Sequence, residues 1–339
     1  VLKPASPAKE SPVTKAIQIT SFGGPDVLRY VDVAVGDPGP GQVRVRHHAC
    51  GVNFIDVYQR TGLYANPLPL VPGGEGAGVV EAMGEGVAHL AVGDRVAYAA
   101  PKPGSYSQAR VLDALHVCRL PDEIDFDTGA AMMLKGLTVD YLLRRTLPVE
   151  GLAPGDAIVW HAAAGGVGLI ACQWAKALGL ELIGTAGSDE KCALAKEYGA
   201  AHAINYRREN VAERVREITG GKGVKVVYDS VGKDTFEASL ACLRPFGLMA
   251  SFGNASGAPD PVAPGLLAAK GSLYLTRPTL FTHLATRERT QAMAEELFEV
   301  VRDGTVRIRI DQRYPLEQAA QAHRDLEART TTGCSVLHP

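Results

Sequence analysis

A short apolar run, Ala157–His161, leads into Ala162-Ala163-Ala164-Gly165-Gly166-Val167-Gly168; a helical apolar pattern runs on to Leu178, and a second β-rich run, Glu181–Thr185, follows. A strand, a glycine turn, a helix and a returning strand, in that order, admit few folds. Gly165 and Gly168 occupy the second and third glycine positions of G-x-G-x-x-G, and Ala163 replaces the first. At these positions Gly165 lets backbone approach a pyrophosphate, and Gly168 lets helix and strand pack closely. Backbone N–H groups and the positive end of the helix dipole then face a diphosphate. The competing reading is a glycine turn that merely packs. Against it, strand, helix and second strand all fall where a dinucleotide-binding unit requires them.

The end of the second strand selects the dinucleotide. A chain that binds the unphosphorylated ribose places Asp or Glu there, about 20 residues past the glycines, to hold the 2′-OH. Here the strand ends Leu182-Ile183-Gly184-Thr185-Ala186-Gly187-Ser188, and the acid position falls at Ala186. Ser188 and Lys191 open the next helix. A lysine in a first helical turn opposes the macrodipole unless an anion is near, and a 2′-phosphate is such an anion. Tyr206, beyond the third strand, can add a hydroxyl to the same phosphate, with Arg207 beside it. Taken alone, Lys191 also reads as a surface residue offset by Asp189 and Glu190; the missing acid is the stronger half of the argument. The expected cofactor is NADPH, and the expected class an oxidoreductase.

Strand–helix alternation continues from this unit. Candidate strands are Ala157–His161, Glu181–Thr185, Ala203–Asn205, Val224–Asp229, Leu248–Phe252 and Ser272–Leu275, with helices between them at Val167–Leu178, Asp189–Tyr198, Asn210–Thr219, Asp234–Cys242 and Pro264–Ala269. Such alternation predicts an α/β fold: a doubly wound, six-stranded parallel Rossmann sheet. Residues 15–120 differ, being rich in Val, Gly and Pro, with short strand patterns at Val43, Val45 and Val92–Ala99 between turns such as Pro38-Gly39-Pro40-Gly41. They predict a β-rich barrel or sandwich. Asp127 or Thr128 is expected to cap a helix through Ala130, Met133 and Leu137 towards Leu143. After Arg277 the pattern gives a helix at Glu288–Asp303, a strand at Val306–Ile310 and a helix near Leu316–Ala328. The simplest organisation has a β-rich domain from both chain ends (15–137 and 278–339), a Rossmann domain (138–277) inserted between them, and a disordered tail (1–14) carrying Pro4, Pro7 and Pro12.

Composition removes other classes. A formal net charge of −2 with no basic block lacks the electrostatic footprint of a nucleic-acid binder. The longest nearly charge-free stretch, Ala157–Ala175, holds His161, Gln173 and the glycines, so no membrane span is expected. Cysteines at 50, 118, 172, 192, 242 and 334 form no C-x-x-C pair. They read as reduced, mostly buried thiols in a reducing, cytoplasmic setting.

Several motifs together resemble one family: Gly51-Val52-Asn53-Phe54-Ile55-Asp56, Pro72-Gly73-Gly74-Glu75-Gly76-Ala77-Gly78, Gly93-Asp94-Arg95-Val96, the glycine turn, Ile204-Asn205-Tyr206, Tyr228-Asp229-Ser230-Val231-Gly232 and Ser251-Phe252-Gly253-Asn254. Over residues 15–339 the chain is similar to the zinc-independent quinone oxidoreductases, the zeta-crystallin type of the medium-chain dehydrogenase/reductase superfamily. The resemblance implies a GroES-like catalytic domain for the β-rich part. Zinc alcohol dehydrogenases of the superfamily carry Cys where this chain has Asn53 and His-Glu where it has Gly74-Glu75, so no metal is expected. Cys50 with His47 and His48 offers another donor set, but adjacent histidines on a strand point to opposite faces. The resemblance further implies that Asn53, Asp56, Tyr58, Thr138 and Tyr141 contact the nicotinamide half and Gly166 and Val167 the diphosphate. Gly187, Ser188, Lys191 and Tyr206 would meet the adenosine phosphate. Val231, Phe252, Gly253 and Asn254 would line the cofactor, and Arg329 would reach back over it.

The implied reaction is reduction of a quinone by hydride or electron transfer from NADPH. Asn53 and Tyr64 are the candidate donors to the developing oxyanion, and each also fits a structural role. Two alternatives stand beside it: an enone or enoyl-thioester reductase of the same fold, and a non-catalytic NADPH-binding structural or RNA-binding protein. The resemblance also implies a homodimer through the edge strand Ser272–Leu275.

Overall fold

The computed structural model describes residues 12–147 and 151–339. The chain divides into two compact units. The first runs to Ala130 and takes back Arg313–Arg324 and Val336–Pro339; the second comprises Ala131–Gln312 and Asp325–Ser335.

The first unit is built on period-two strands. Its elements are β1 (Val13–Gln18), β2 (Arg29–Ala34), β3 (Gln42–Val52), α1 (Phe54–Thr61), β4 (Glu75–Met83), β5 (Arg95–Ala99), β6 (Ala109–Asp113), β7 (Val117–Arg119) and the start of α2 (Phe126–Arg144). Along β3, Val43, Val45 and His47 are buried while Arg46 and His48 are exposed, the alternation a one-sided strand requires. Val43 and Val45 join Val80, Val96, Tyr98 and Val117 in one apolar core. Val13 and Thr14, expected in a disordered tail, instead open β1, which pairs antiparallel with β2 over six residues and so satisfies its backbone. Residues 1–11 of that expected tail lie outside the described residues. The cap of α2 also differs from expectation: Asp125 accepts the Thr128 N–H at 2.7 Å, and Asp127, inside the first turn, pairs with Arg313 at 2.8 Å.

The second unit contains β8 (Ala157–Trp160), α3 (Gly166–Ala177), β9 (Glu181–Ala186), α4 (Asp189–Glu197), β10 (His202–Asn205), α5 (Val211–Ile218), β11 (Val224–Asp229), α6 (Phe236–Cys242), β12 (Leu243–Ser251), α7 (Pro264–Ala269) and β13 (Tyr274–Thr276). The six strands lie in the order β10-β9-β8-β11-β12-β13, every pairing parallel. This doubly wound order is 3-2-1-4-5-6, with its reversal beside β8, where a dinucleotide fold binds its ligand. Val159, Ile183, Val227 and Met249 fill the core below the sheet's helices.

Two further elements of the second unit are α8 (Leu280–His283) and α9 (Arg287–Arg302). Residues 278–312, expected with the β-rich domain, thus group with the second unit, and the first boundary falls at Ala130 rather than at residue 137. The reason is packing: a Cβ on Gly136 of α2 would lie 2.4 Å from Leu297 of α9, so glycine admits that helix. The strand expected at Val306–Ile310 begins only at Ile310, as β14 (Ile310–Pro315). Upstream, the Gln173 amide replaces a strand partner: its Oε1 accepts the Arg307 N–H at 2.9 Å and its Nε2 donates to the Arg307 carbonyl at 3.1 Å. The chain ends with α10 (Ala319–Glu327) and β15 (Cys334–His338), and a seven-stranded sheet runs β14-β15-β3-β4-β5-β7, with β6 on β3. Among the described residues no helix is long and apolar enough to cross a membrane.

Candidate functional site

In the second unit the glycine turn sits where β8 passes into α3. Gly165 is the N-cap, in extended conformation at φ −81° and ψ 172°, and contributes no side-chain cap. The amides of a helix start are donors seeking acceptors, and the dipole favours an anion there. A Cβ on Gly168 would stand 2.5 Å from the Ala162 carbonyl oxygen, so this glycine is the close-packing position. The first glycine position has an exchange of volume. Ala163 is fully buried, and a Cβ on Gly184 of the neighbouring strand would lie 2.6 Å from the Ala163 methyl. The methyl added in the turn after β8 occupies the space left open on β9.

At the end of β9, Ala186 is buried, so the acid position is filled by a methyl group. Ser188 caps α4, accepting the Lys191 N–H at 3.3 Å. Asp189 does not offset Lys191: its Oδ1 accepts from Asn205 at 2.7 Å, and its Oδ2 pairs with Arg208. The Lys191 ammonium instead donates to the carbonyls of Arg329 (2.7 Å) and Thr331 (3.1 Å). Burial, then the neighbouring Arg207 guanidinium, pull the Lys191 ammonium below the usual lysine range. Tyr206 is 42% exposed, and its hydroxyl oxygen would be 2.6 Å from a Cβ on Gly187. Gly187, Ser188, Lys191 and Tyr206 therefore meet at one spot, and Arg329 joins them through its carbonyl, in a left-handed conformation at φ 57°.

Val231, Phe252, Gly253 and Asn254 follow the carboxyl ends of β11 and β12. Asp229, fully buried, gathers the loop after β11: its Oδ1 accepts from Val231 N–H (2.8 Å), Gly232 N–H (3.0 Å) and the Thr235 hydroxyl (2.9 Å). The Ser239 hydroxyl donates to Asp229 Oδ2 at 2.7 Å and meets His161 Nε2 at 2.9 Å, and His161 Nδ1 meets the Thr185 hydroxyl at 2.9 Å. Burial lowers the His161 pKa, so a neutral ring links β8, β9 and β11. Sequence reasoning missed this network; the only signal was Asp229 inside a quoted motif. Phe252 rests on Trp160 with centroids 5.5 Å apart, and Gly253 is held against Ser230, where a Cβ would meet the Ser230 carbonyl oxygen at 2.4 Å. Asn254 follows, half-buried. On α2, Thr138 and Tyr141 are buried; the Tyr141 ring stacks on His283 at 4.7 Å and 12°, and burial raises its phenol pKa while Arg277 pulls it down.

In the first unit, Asn53 caps α1 and donates from Nδ2 to Glu75 Oε1 at 2.8 Å, both residues being buried. Tyr58 and Tyr64 meet edge to face, 5.1 Å between centroids. Asp56 has intramolecular partners that the sequence did not announce. It has no exposed surface and serves the start of α1: Oδ2 accepts the Asn53 N–H at 2.8 Å and the Tyr106 hydroxyl at 2.9 Å. The donor set at β3 is committed elsewhere. His47 Nδ1 meets the Ser107 carbonyl at 2.6 Å, its Nε2 the Tyr98 hydroxyl at 2.7 Å, and burial lowers its pKa to about 3. The Cys50 thiol donates to the Ser105 carbonyl at 2.7 Å, and burial raises its pKa far above the thiolate range. His48 lies on the opposite face, stacked on Phe126. Among the described residues no group of three or more His, Cys, Asp or Glu side chains could hold a metal ion.

A six-stranded sheet in the dinucleotide-binding strand order, whose second strand ends in a methyl group where an acid would stand, together with a β-rich unit carrying buried polar residues, defines the class of nucleotide-dependent oxidoreductases with a GroES-like domain. Family comparison agrees: residues 39–131 match the alcohol dehydrogenase GroES-like domain, and residues 166–299 the zinc-binding dehydrogenase family. The chain is 56% identical to a quinone oxidoreductase of Pseudomonas aeruginosa, covering 96% of this chain and 100% of that one. It is 46% identical to a 2-haloacrylate reductase of a Burkholderia species, covering 96% and 98%. The crystal structure of Escherichia coli quinone oxidoreductase complexed with NADPH superimposes with a TM-score of 0.93 at 49% identity, covering 96% and 100%. The chain belongs to the quinone oxidoreductase family.

Proposed function

We propose that this protein is an NADPH:quinone oxidoreductase that works without a metal ion. The observation that carries the reading is full-length similarity to quinone oxidoreductases at 49–56% identity. The local chemistry fits NADPH, since the end of β9 offers a methyl group, a serine and uncompensated cations in place of a carboxylate. Gly165, Gly166, Val167 and Gly168 would hold the diphosphate, and Gly187, Ser188, Lys191, Tyr206 and Arg329 the adenosine phosphate. Thr138, Tyr141, Val231, Phe252, Gly253, Asn254, Asn53 and Tyr58 would orient the nicotinamide half. When bound, the cofactor supplies the hydride or electrons. The chain's own part is to orient the quinone and stabilise charge on its oxygen. Asn53 suits that role, because Glu75 takes one N–H of its amide and fixes its plane, and the amide carries a second donor. Tyr64 is the second candidate donor.

The 46% identity to a 2-haloacrylate reductase favours one further reading, reduction of an activated carbon–carbon double bond by the same parts. A screen with NADPH separates the two, using 1,4-benzoquinone, 9,10-phenanthrenequinone, a crotonyl thioester and a 2-haloacrylate. Turnover of the quinones is expected. No turnover with any quinone, alongside rapid reduction of the double bonds, would overturn the first reading.

The working form we infer is a homodimer joined at β13. That strand ends the six-stranded order, pairing with β12 alone among the described residues, and Tyr274 on it is 51% exposed. Sedimentation showing only monomer at micromolar protein would contradict this. A cytoplasmic setting is supported by six free, buried cysteines.

A further inference from the structure

Arg207 stands at the adenosine end of this site, and among the described residues no carboxylate pairs with it. The Tyr206 and Arg207 side chains arch over Gly187: a Cβ there would lie 2.6 Å from the Tyr206 hydroxyl oxygen and 3.6 Å from Arg207 Nε. The next residue, Arg208, is committed to Asp189. Asp189's other oxygen takes Asn205 at 2.7 Å, Glu209 takes the Asn205 N–H at 3.1 Å and faces Arg214 at 3.5 Å, and Glu190 is held by the Ser188 hydroxyl. Each carboxylate of these two segments is thus engaged by a group other than Lys191 or Arg207. Those two cations are close enough that Arg207 disfavours the charge on Lys191. Like charges held together without a carboxylate repel, and an anion placed between them relieves the repulsion. The two are not equivalent. Lys191 must give up its bonds to the Arg329 and Thr331 carbonyls to reach a phosphate, whereas the exposed Arg207 guanidinium has no such bond to break among the described residues.

We infer that Arg207 is a specificity-determining residue, clamping the 2′-phosphate of NADPH jointly with Lys191 over Gly187. The inference rests on the NADPH reading above and deepens it. Guanidinium offers two parallel donors to phosphate oxygens, a geometry that an ammonium lacks.

The test is calorimetric titration with 2′,5′-ADP and 5′-AMP, fragments that differ only in the 2′-phosphate and carry no nicotinamide. Wild type should prefer 2′,5′-ADP. Arg207→Gln should reduce that preference by about tenfold or more, leaving 5′-AMP affinity unchanged. Arg208→Gln should keep the wild-type ratio, because that guanidinium is already held by Asp189. Loss of preference in Lys191→Gln with full preference in Arg207→Gln would overturn the role of Arg207 alone. An equal loss in Arg208→Gln would reduce the effect to general surface charge and overturn it as well. A wild type that binds both fragments equally would sink the NADPH reading itself.

Discussion

Tyr106 and Asp56, fifty positions apart, are joined by a 2.9 Å hydrogen bond inside the first unit. Its direction follows from the partners. The phenol has one proton, which the Asp56 carboxylate takes, so Tyr106 accepts from His323 Nε2–H at 3.0 Å. His323 Nδ1 then accepts from Arg60 at 3.1 Å, and Arg60 donates from Nε to the Gly23 carbonyl at 3.0 Å. This relay fixes the start of α1 and with it Asn53 and Tyr58. Tyr106→Phe removes the central hydroxyl at almost constant volume, leaving a buried carboxylate and a buried imidazole N–H each short of a partner. The expected cost is about 2–3 kcal/mol, read by urea denaturation. A loss below about 0.5 kcal/mol would mean that the relay stabilises nothing.

The same histidine makes stability depend on pH. Burial first, then the Arg60 charge, lowers the His323 pKa to about 3, and burial lowers that of His47 to about 3. In the unfolded chain each titrates near the ordinary value of 6.5. Above 6.5 neither state binds the proton, and the native state has its full stability. As pH falls from 6.5 towards 3 only the unfolded chain is protonated, so stability drops. The slope approaches about 1.4 kcal/mol per pH unit for each histidine, or nearly twice that for the pair. Urea midpoints at pH 7.5, 6.5 and 5.5 should be level over the first interval and fall over the second. A level profile down to pH 5 would contradict the buried neutral assignment.

What the sequence disclosed and what it hid divide by distance along the chain. The glycine turn, the vacant acid position at Ala186 and the helix start at Ser188 are local, and all were legible from neighbouring residues. The partners of Asp56 were not: Tyr106 and His323 reach it from remote segments, and no local pattern distinguishes a carboxylate aimed inward from one aimed at a ligand. Gln173 is a similar case. Its amide lies 134 positions from Arg307, yet it takes both backbone groups there and delays the strand that the Val306–Ile310 pattern announces. Helix α9 reads as amphipathic from its own residues, but only the glycine at position 136 shows which unit it covers.

Ala163 and Gly184 make a testable pair. Gly184→Ala alone sets two methyl carbons 2.6 Å apart between β9 and the turn after β8, too close without backbone movement. It should cost about 1–3 kcal/mol, the usual range for overpacking. Restoring the first glycine with Ala163→Gly in the same chain relieves the clash. The double-mutant cycle should therefore show a favourable coupling of about 1 kcal/mol or more. Additive losses would mean that the two positions accommodate their side chains independently.

Lys191 is the residue at which cofactor choice and local structure meet. Its ammonium spans to the Arg329 and Thr331 carbonyls, so Lys191→Ala removes a tether from that segment as well as a cation from the phosphate position. The two effects are separable. Amide hydrogen exchange around residues 329–331 should quicken in the variant without cofactor, since the tether is intrinsic to the chain. Fluorescence titration should show NADPH affinity falling about tenfold or more while NADH affinity changes less than about twofold, because only the first carries the phosphate. Raising salt should narrow the gap in wild type, as expected of a half-exposed charge pair. A variant that loses both cofactors equally would place Lys191 in the general architecture of the site, and equal wild-type affinity for NADPH and NADH would remove the phosphate position altogether.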